Sequence, residues 1–183
     1  YKRLVADAIN AGSLDARDLA GFTDEGLLHR VAEQRPSPLL GALRARRLYK
    51  RAFECPAADL PPDAGEWIAD DRALAVAVED ALAREAGLNP GELLVDYPAK
   101  TQMLGLDIPV LRRGGEVRRL TAAGWEGAIN LPKLSEEFYR SARWLRVFTC
   151  RRMTLDRRRV LDLVTRPPDE VRRLVSEDRP LLT

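Results

Sequence analysis

The sequence is poor in the side chains that most often carry chemistry. It holds one histidine, His29, and two cysteines, Cys55 and Cys150, in 183 residues. A hydrolytic metal needs several His, Asp, Glu or Cys ligands converging on one point, and no HExxH or His-Asp pair occurs. Without a CxxC spacing the cysteines suggest neither a zinc site nor a disulfide framework, and they read as buried thiols of a reducing compartment. The GxSxG elbow, the GxxxxGK[ST] loop and the GxGxxG turn are absent too. No apolar run approaches the roughly 20 residues that span a bilayer, and the N-terminal YKRLVADAIN has no signal-peptide core. A cytoplasmic location is therefore expected. Charge of one sign is also lacking: 30 Lys plus Arg stand against 28 Asp plus Glu, a formal net charge of +2. Attraction for an anion must then come from local clusters. Aromatics make up 6% and are sparse beside those clusters, which disfavours a stacking platform for single-stranded nucleic acid.

What is present is the balance of a soluble globular protein, 45% hydrophobic and 32% charged, in a chain the size of one domain or two small lobes. The sequence opens on Tyr1 with a helical pattern already in progress, so a piece of a longer protein is expected. Leu4, Val5, Ala8 and Ile9 follow helical spacing, and Ala11-Gly12 stops them. Ser13-Leu14-Asp15 starts a short turn. Thr23 is a helix N-cap, followed by Asp24 and Glu25 at the positive end of the dipole and a stripe of Leu27, Leu28 and Val31. RPSP at 35–38 ends that helix. The stretch LRARRLYKR then reads as the centre of a basic helix over 39–53, with Ala42, Ala45, Leu48, Tyr49, Ala52 and Phe53 on one arc. Its cations fall into two rows, Arg44, Arg47 and Arg51 on one flank and Arg46 with Lys50 on the other. A pair four apart can hold one multivalent anion, or it can simply be solvated.

Prolines in CPAADLPP, 55–62, exclude regular structure and mark a boundary. Beyond it come a helix over 72–86 closed by Gly87, a short strand in LLVDYP, and a Gly114-Gly115 hairpin with a two-residue turn signal. A helix over 134–142 follows, then a strand over 144–150 that can bury either Trp144, Phe148 and Cys150 or Leu145 and Val147. A helical tail is broken at Pro167-Pro168. The class expected is α+β: an N-terminal helical lobe over 1–55, an α+β lobe over 66–152 with a small, mostly antiparallel sheet and packed helices, and a helical tail over 153–183.

The acidic pairs Asp70-Asp71, Glu136-Glu137 and Asp169-Glu170 diverge by about 100° on a helix and cannot converge on one substrate. All three are expected near helix starts, where carboxylates suit the dipole. His29 reads as a surface or partly buried polar residue. The positive candidates are cationic: Arg46 with Lys50; the hairpin arginines Arg112, Arg113, Arg118 and Arg119; Arg151 with Arg152; and the run over 157–159. Each also reads as solvated, salt-bridged surface. The hairpin set is the basis of an alternative function, a basic nucleic-acid-binding module. Lys100 is a lone cation in the turn after LLVDYP.

The order of segments carries a resemblance. Phe22-Thr23-Asp24 with the Leu27-Leu28 helix, then RRLYK (46–50), LLVDYP (93–98) and LRVFTCRR (145–152) resemble the C-terminal half of the HD-domain phosphohydrolases. They look most like the SAM-and-HD-domain deoxynucleotide triphosphohydrolases and their bacterial relatives. The resemblance spans about residues 4–152, and order and spacing carry it more than any one motif. In that family the metal-binding His, His-Asp and Asp ligands lie in an N-terminal HD domain. The resemblance therefore implies a region downstream of the catalytic domain, with no catalytic residue and no metal of its own, and a divalent metal in the HD domain. It implies packing on that HD domain, oligomer contacts, and cations for a nucleotide triphosphate effector. The family's R-x-x-x-K step falls on Arg46 and Lys50, and Lys100 sits near a loop that carries a phosphate-contacting lysine, although the local spacing there departs from the family.

Overall fold

The computed structural model describes residues 1–34, 38–99, 107–121 and 130–183. Its first part is helical: α1 (Lys2–Asn10), a 3-10 turn (Ala16–Gly21), α2 (Asp24–Gln34) and α3 (Pro38–Arg44). Local chemistry sets these starts. The Asp15 side chain accepts from Arg17 N at 2.9 Å, and Thr23 Oγ1 accepts from Gly26 N at 3.1 Å, so each satisfies an orphan amide of a first turn. Leu4, Ala8, Leu14, Leu27, Val31 and Leu40 close a small core between these helices. The helix-ending motif at 35–37 lies outside the described residues.

The basic helix expected over 39–53 does not form. The helix ends at Arg44 in a Schellman motif, in which Arg47 N donates to Ala42 O at 2.8 Å and Arg46 N to Leu43 O at 3.0 Å. Arg46 takes the left-handed position, with φ +51. The chain then straightens into β1 (Lys50–Pro56). The misleading signal was Ala52 next to Phe53. A regular strand alternates its faces, so adjacent buried residues imitate a helical stripe. Here a register shift between Arg51 and Phe53 lets both point inward. Arg46 and Lys50 are thus not stacked on a helix face.

A three-stranded antiparallel sheet has the order β1-β5-β2, with β5 (Trp144–Thr149) in the centre and β2 (Leu93–Asp96) at the other edge. Pairing of β1 with β5 joins residues from both sides of the proline-rich stretch at 55–62, and that stretch itself contains a 3-10 turn (Ala57–Asp59). Of the two faces open to β5, the one buried carries Leu145, Val147 and Thr149.

Against that face packs a larger core. It takes α4 (Trp67–Asp70), α5 (Arg72–Glu85), α7 (Arg157–Thr165) and α8 (Pro168–Ser176), so Val160, Leu163, Val171 and Leu174 of the C-terminal helices share one interior with the sheet. Asp71 and Asp156 cap α5 and α7 by accepting from Leu74 N and Arg159 N. Helix α6 (Leu131–Ala142) precedes β5.

A separate hairpin pairs β3 (Asp107–Leu111) with β4 (Val117–Thr121). Its turn is not the two-residue form expected. Arg112 N donates to Glu116 O and Gly115 N to Arg112 O, each at 2.9 Å, so the loop is Arg113, Gly114 and Gly115. Gly115 sits at φ +82, which closes a type I turn with a bulge, and that backbone conformation is why glycine stands there.

A buried ionic cluster ties the helical lobe to the rest. Arg3 on α1 donates to Glu79 at 2.5 Å, to Asp80 at 3.3 Å and to Asp7 at 2.8 Å. Glu79, on α5, also accepts from Val95 N of β2 at 3.1 Å and from Arg72 at 3.4 Å. Burial opposes the Arg3 charge, but Asp7, Asp80 and Glu79 outweigh it and raise the pKa.

Candidate functional site

The site is built at one end of the sheet, where β1 begins and β5 ends. Antiparallel register sets Lys50 opposite Thr149. The Thr149 hydroxyl, fully buried, donates to Arg151 O at 2.8 Å and lies 3.5 Å from Lys50 O. One side chain thereby holds the two chain segments together. The first carries Arg46, Arg47 and Lys50; the second carries Arg151 and Arg152. All of these cations are exposed. Groups about 100 residues apart in sequence, treated as separate clusters above, form one cationic rim.

Their neighbours on the same stretch are neutralised. Arg44 reaches Glu25 at 3.6 Å, and Arg51 reaches Glu54 at 2.5 Å. Among the described residues no carboxylate lies within salt-bridge distance of Arg46, Arg47, Lys50, Arg151 or Arg152. The nearby Glu92 carboxylate is taken by Asn89, whose backbone N donates at 2.8 Å and whose side-chain amide donates at 3.2 Å. So the carboxylates beside the rim already have donors, while its guanidinium and ammonium groups face solvent.

Beside the rim is a cleft of about 160 Å³ between α3 and the outer face of the sheet. Leu43, Leu48, Tyr49, Leu94 and Phe148 line it, with Arg47 among them. Leu94 and Phe148 are direct cross-strand partners. Tyr49 is fixed by donating its hydroxyl to Gly91 O at 2.9 Å. Burial, reinforced by Cys150 and Glu92, pushes its phenol up to about 12, so it stays a neutral donor. Leu48 is 61% exposed, an apolar side chain at the mouth of the cleft with little of its surface covered.

Several of the other candidate cations are engaged. On the hairpin, Arg119 makes two bonds to Asp107 at 2.6 and 2.8 Å, and Arg118 reaches Glu116 at 3.1 Å. The Arg119 guanidinium holds the Asp107 carboxyl below its usual range. Arg157 reaches Asp59 at 3.1 Å. Arg143, almost fully buried, makes two bonds to Glu66 at 2.7 and 2.9 Å, donates to Pro98 O, and stacks 3.6 Å over the Tyr97 ring. These are structural contacts.

Lys100 lies outside the described residues. His29 is 72% exposed beside Glu33. Of the acidic pairs, Asp71 is the α5 cap, and Asp169 with Glu170 fills the first turn of α8. The third departs from the expectation: α6 starts at Leu131, its first turn has no acid, and Glu137 sits well inside the helix. Among the described residues no three His, Cys, Asp or Glu side chains form a group able to hold a metal ion. No helix of the described residues is long and apolar enough to cross a membrane.

A second cavity of about 460 Å³ lies between the Pro61-Pro62 turn, Trp67 and the start of α8. Arg172 at its edge is bound to Asp71 at 2.8 Å and Asp169 at 2.6 Å. Trp67 Nε1 is buried without a partner. Because that nitrogen is closed off from solvent, a molecule in the cavity cannot reach it.

Comparison with known proteins bears on residues 1–124, which match the family model described as HD associated region. No curated protein and no solved structure matches the chain.

Proposed function

The chain belongs to the HD associated region family, and we propose that it is the accessory region of an HD-type, metal-dependent nucleotide phosphohydrolase, silent as a catalyst by itself. Bond breaking and the divalent metal belong to an HD domain of the same protein, on which this region packs. Its further roles are to build oligomer contacts and to take the phosphates of a nucleotide triphosphate effector at Arg46 and Lys50, with Lys100 as a third contact. The parent enzyme resembles the deoxynucleotide triphosphohydrolases and works in the cytoplasm.

The observation that supports the effector role is the unneutralised state of Arg46 and Lys50. Their neighbours Arg44 and Arg51 have carboxylate partners, and among the described residues these two do not. A guanidinium and an ammonium free of internal partners keep their full capacity for charge-assisted bonds to phosphate oxygens. Arg46 closes the turn after α3 and Lys50 begins β1, with three residues between them. Nucleic-acid binding through the hairpin has less support, because Arg118 and Arg119 are bound to the hairpin's own acids.

Calorimetric titration of the 183-residue chain with a deoxynucleoside triphosphate tests the reading. Binding that is lost in Arg46→Glu/Lys50→Glu, with no phosphate released by the chain alone, is the expected result. Unchanged affinity in the double variant refutes the site. Triphosphate cleavage by the chain unaided refutes the accessory role, and an HD motif in the reading frame upstream of Tyr1 supports it.

A further inference from the structure

We infer that Arg151 and Arg152 complete one polyphosphate site with Arg46, Arg47 and Lys50, and that the adjoining cleft receives the ring of the same ligand, a free nucleoside polyphosphate. The inference rests on the nucleotide-effector reading and deepens it, naming residues from a second strand and a place for the base.

Strand register carries the first half. Lys50 and Thr149 are paired, and the Thr149 hydroxyl bonds Arg151 O while lying within 3.5 Å of Lys50 O. Lys50 and Arg151 are therefore held beside one buried, hydrogen-bonded point of the sheet, and Arg46, Arg47 and Arg152 lie within a few residues of them in sequence. Like charges brought together with no carboxylate between them repel, and a ligand with several negative charges relieves that repulsion. Six arginines elsewhere are neutralised: Arg44, Arg51, Arg118, Arg119, Arg157 and Arg172 each have a carboxylate within 4 Å. Arg113 of the hairpin and Arg158 of α7 are, like the rim, without a carboxylate among the described residues, so it is the convergence of five cations at one sheet end that marks the rim.

The cleft carries the second half. At about 160 Å³ it is well below the roughly 300 Å³ at which whole drug-sized ligands are held, so it has room for a ring and not for a ring with its phosphates. Its walls are apolar and aromatic: Leu43, Leu48, Leu94, Tyr49 and Phe148. Arg47 belongs to both the cleft and the rim, so it is the residue that joins a ring in the one to phosphates at the other, Lys50 reaching them from the edge of the Thr149 face. A single cleft suits one nucleotide. A strand of nucleic acid needs successive stacking surfaces, and the rim offers one.

The test is calorimetry on the 183-residue chain at fixed salt with three probes: inorganic tripolyphosphate, dGTP and a short oligothymidylate. The wild-type chain binds dGTP more tightly than tripolyphosphate. Arg151→Glu/Arg152→Glu, at exposed positions, weakens both by at least about tenfold, the size of one lost charge-assisted contact. Ala42 of α3 also lines the cleft, and Ala42→Phe fills it and lowers dGTP affinity to that of tripolyphosphate, leaving tripolyphosphate unchanged. Leu48→Ala, where misfolding is not a concern, weakens dGTP alone by about threefold.

If Arg46→Glu/Lys50→Glu abolishes binding and Arg151→Glu/Arg152→Glu does not, the effector reading stands and this inference falls. Equal wild-type affinity for dGTP and tripolyphosphate overturns the assignment of the cleft. Tighter binding of oligothymidylate than of dGTP overturns the free nucleotide as ligand, and no binding of any probe removes the effector reading and the inference together.

Discussion

The Arg3 guanidinium donates to the Glu79 carboxylate at 2.5 Å, with 8% and 1% of the two side chains exposed. Arg3 belongs to the helical lobe and Glu79 to the helix under the sheet. Removing Arg3 leaves the buried Glu79 carboxylate with only Arg72 at 3.4 Å and Val95 N at 3.1 Å, so the cost is at the lower end of that of a broken buried pair, about 3 kcal/mol. Arg3→Ala is expected to lose that much in urea unfolding, whereas Arg3→Met/Glu79→Met, which removes both charges and keeps volume, loses far less. A double variant no more stable than the single one contradicts the pairing.

Arg46 occupies a left-handed position at the end of α3, with φ +51, where glycine carries no side-chain penalty. Arg46→Gly should stabilise the chain by up to about 1 kcal/mol in urea. Arg46→Val, β-branched in the same conformation, should lower the urea midpoint. The glycine variant also separates folding from binding: it should be more stable than the wild type and yet bind tripolyphosphate less tightly.

Asp71 accepts from Leu74 N at 3.0 Å and from Arg172 at 2.8 Å, and these bonds, the backbone one first, hold its carboxyl below the usual value of 3.8. The folded state therefore binds the proton more weakly than the unfolded chain does. The stabilisation is present above the unfolded pKa and is lost as pH falls through the lower folded one. Asp71→Asn keeps a capping side chain but loses the charge. It should lower Tm at neutral pH, and the difference from wild type should close only below about pH 4. A difference constant down to pH 2 would count against the charge effect.

Arg143 combines two bonds to Glu66, one to Pro98 O and a ring contact with Tyr97. Planarity and a fixed fork of donors are needed for all of these at once, and lysine has neither. Arg143→Lys should therefore be distinctly destabilising in a thermal melt, and Arg143→Ala more so, by about 3–5 kcal/mol. A lysine variant with the wild-type Tm argues against that geometry.

Much of this architecture was legible before any coordinates. Asp71 before an alanine-rich run, Thr23 before Asp24-Glu25, and Gly87 after its helix are local signals, because a cap or a stop is decided within a turn of chain. The Gly114-Gly115 turn and the alternating faces of β5 were legible for the same reason, although the loop proved longer than its dipeptide suggested. β1 was not legible. Its bulge places Ala52 and Phe53 on the buried side together, a spacing that single-sequence periodicity assigns to a helix.

The candidate site divides along the same line. Which residues are cationic, and that helices and a small antiparallel sheet would form, follow from residue identity and short-range spacing, since such properties are set by neighbours along the chain. That Lys50 would lie opposite Thr149, two residues before Arg151, and that Leu94 and Phe148 would pair and wall a cleft with α3 were decided by the pairing of strands far apart in sequence. Register is a property of the packed core, which must bury Leu145, Val147 and Thr149 on one face, and no local stretch contains that condition.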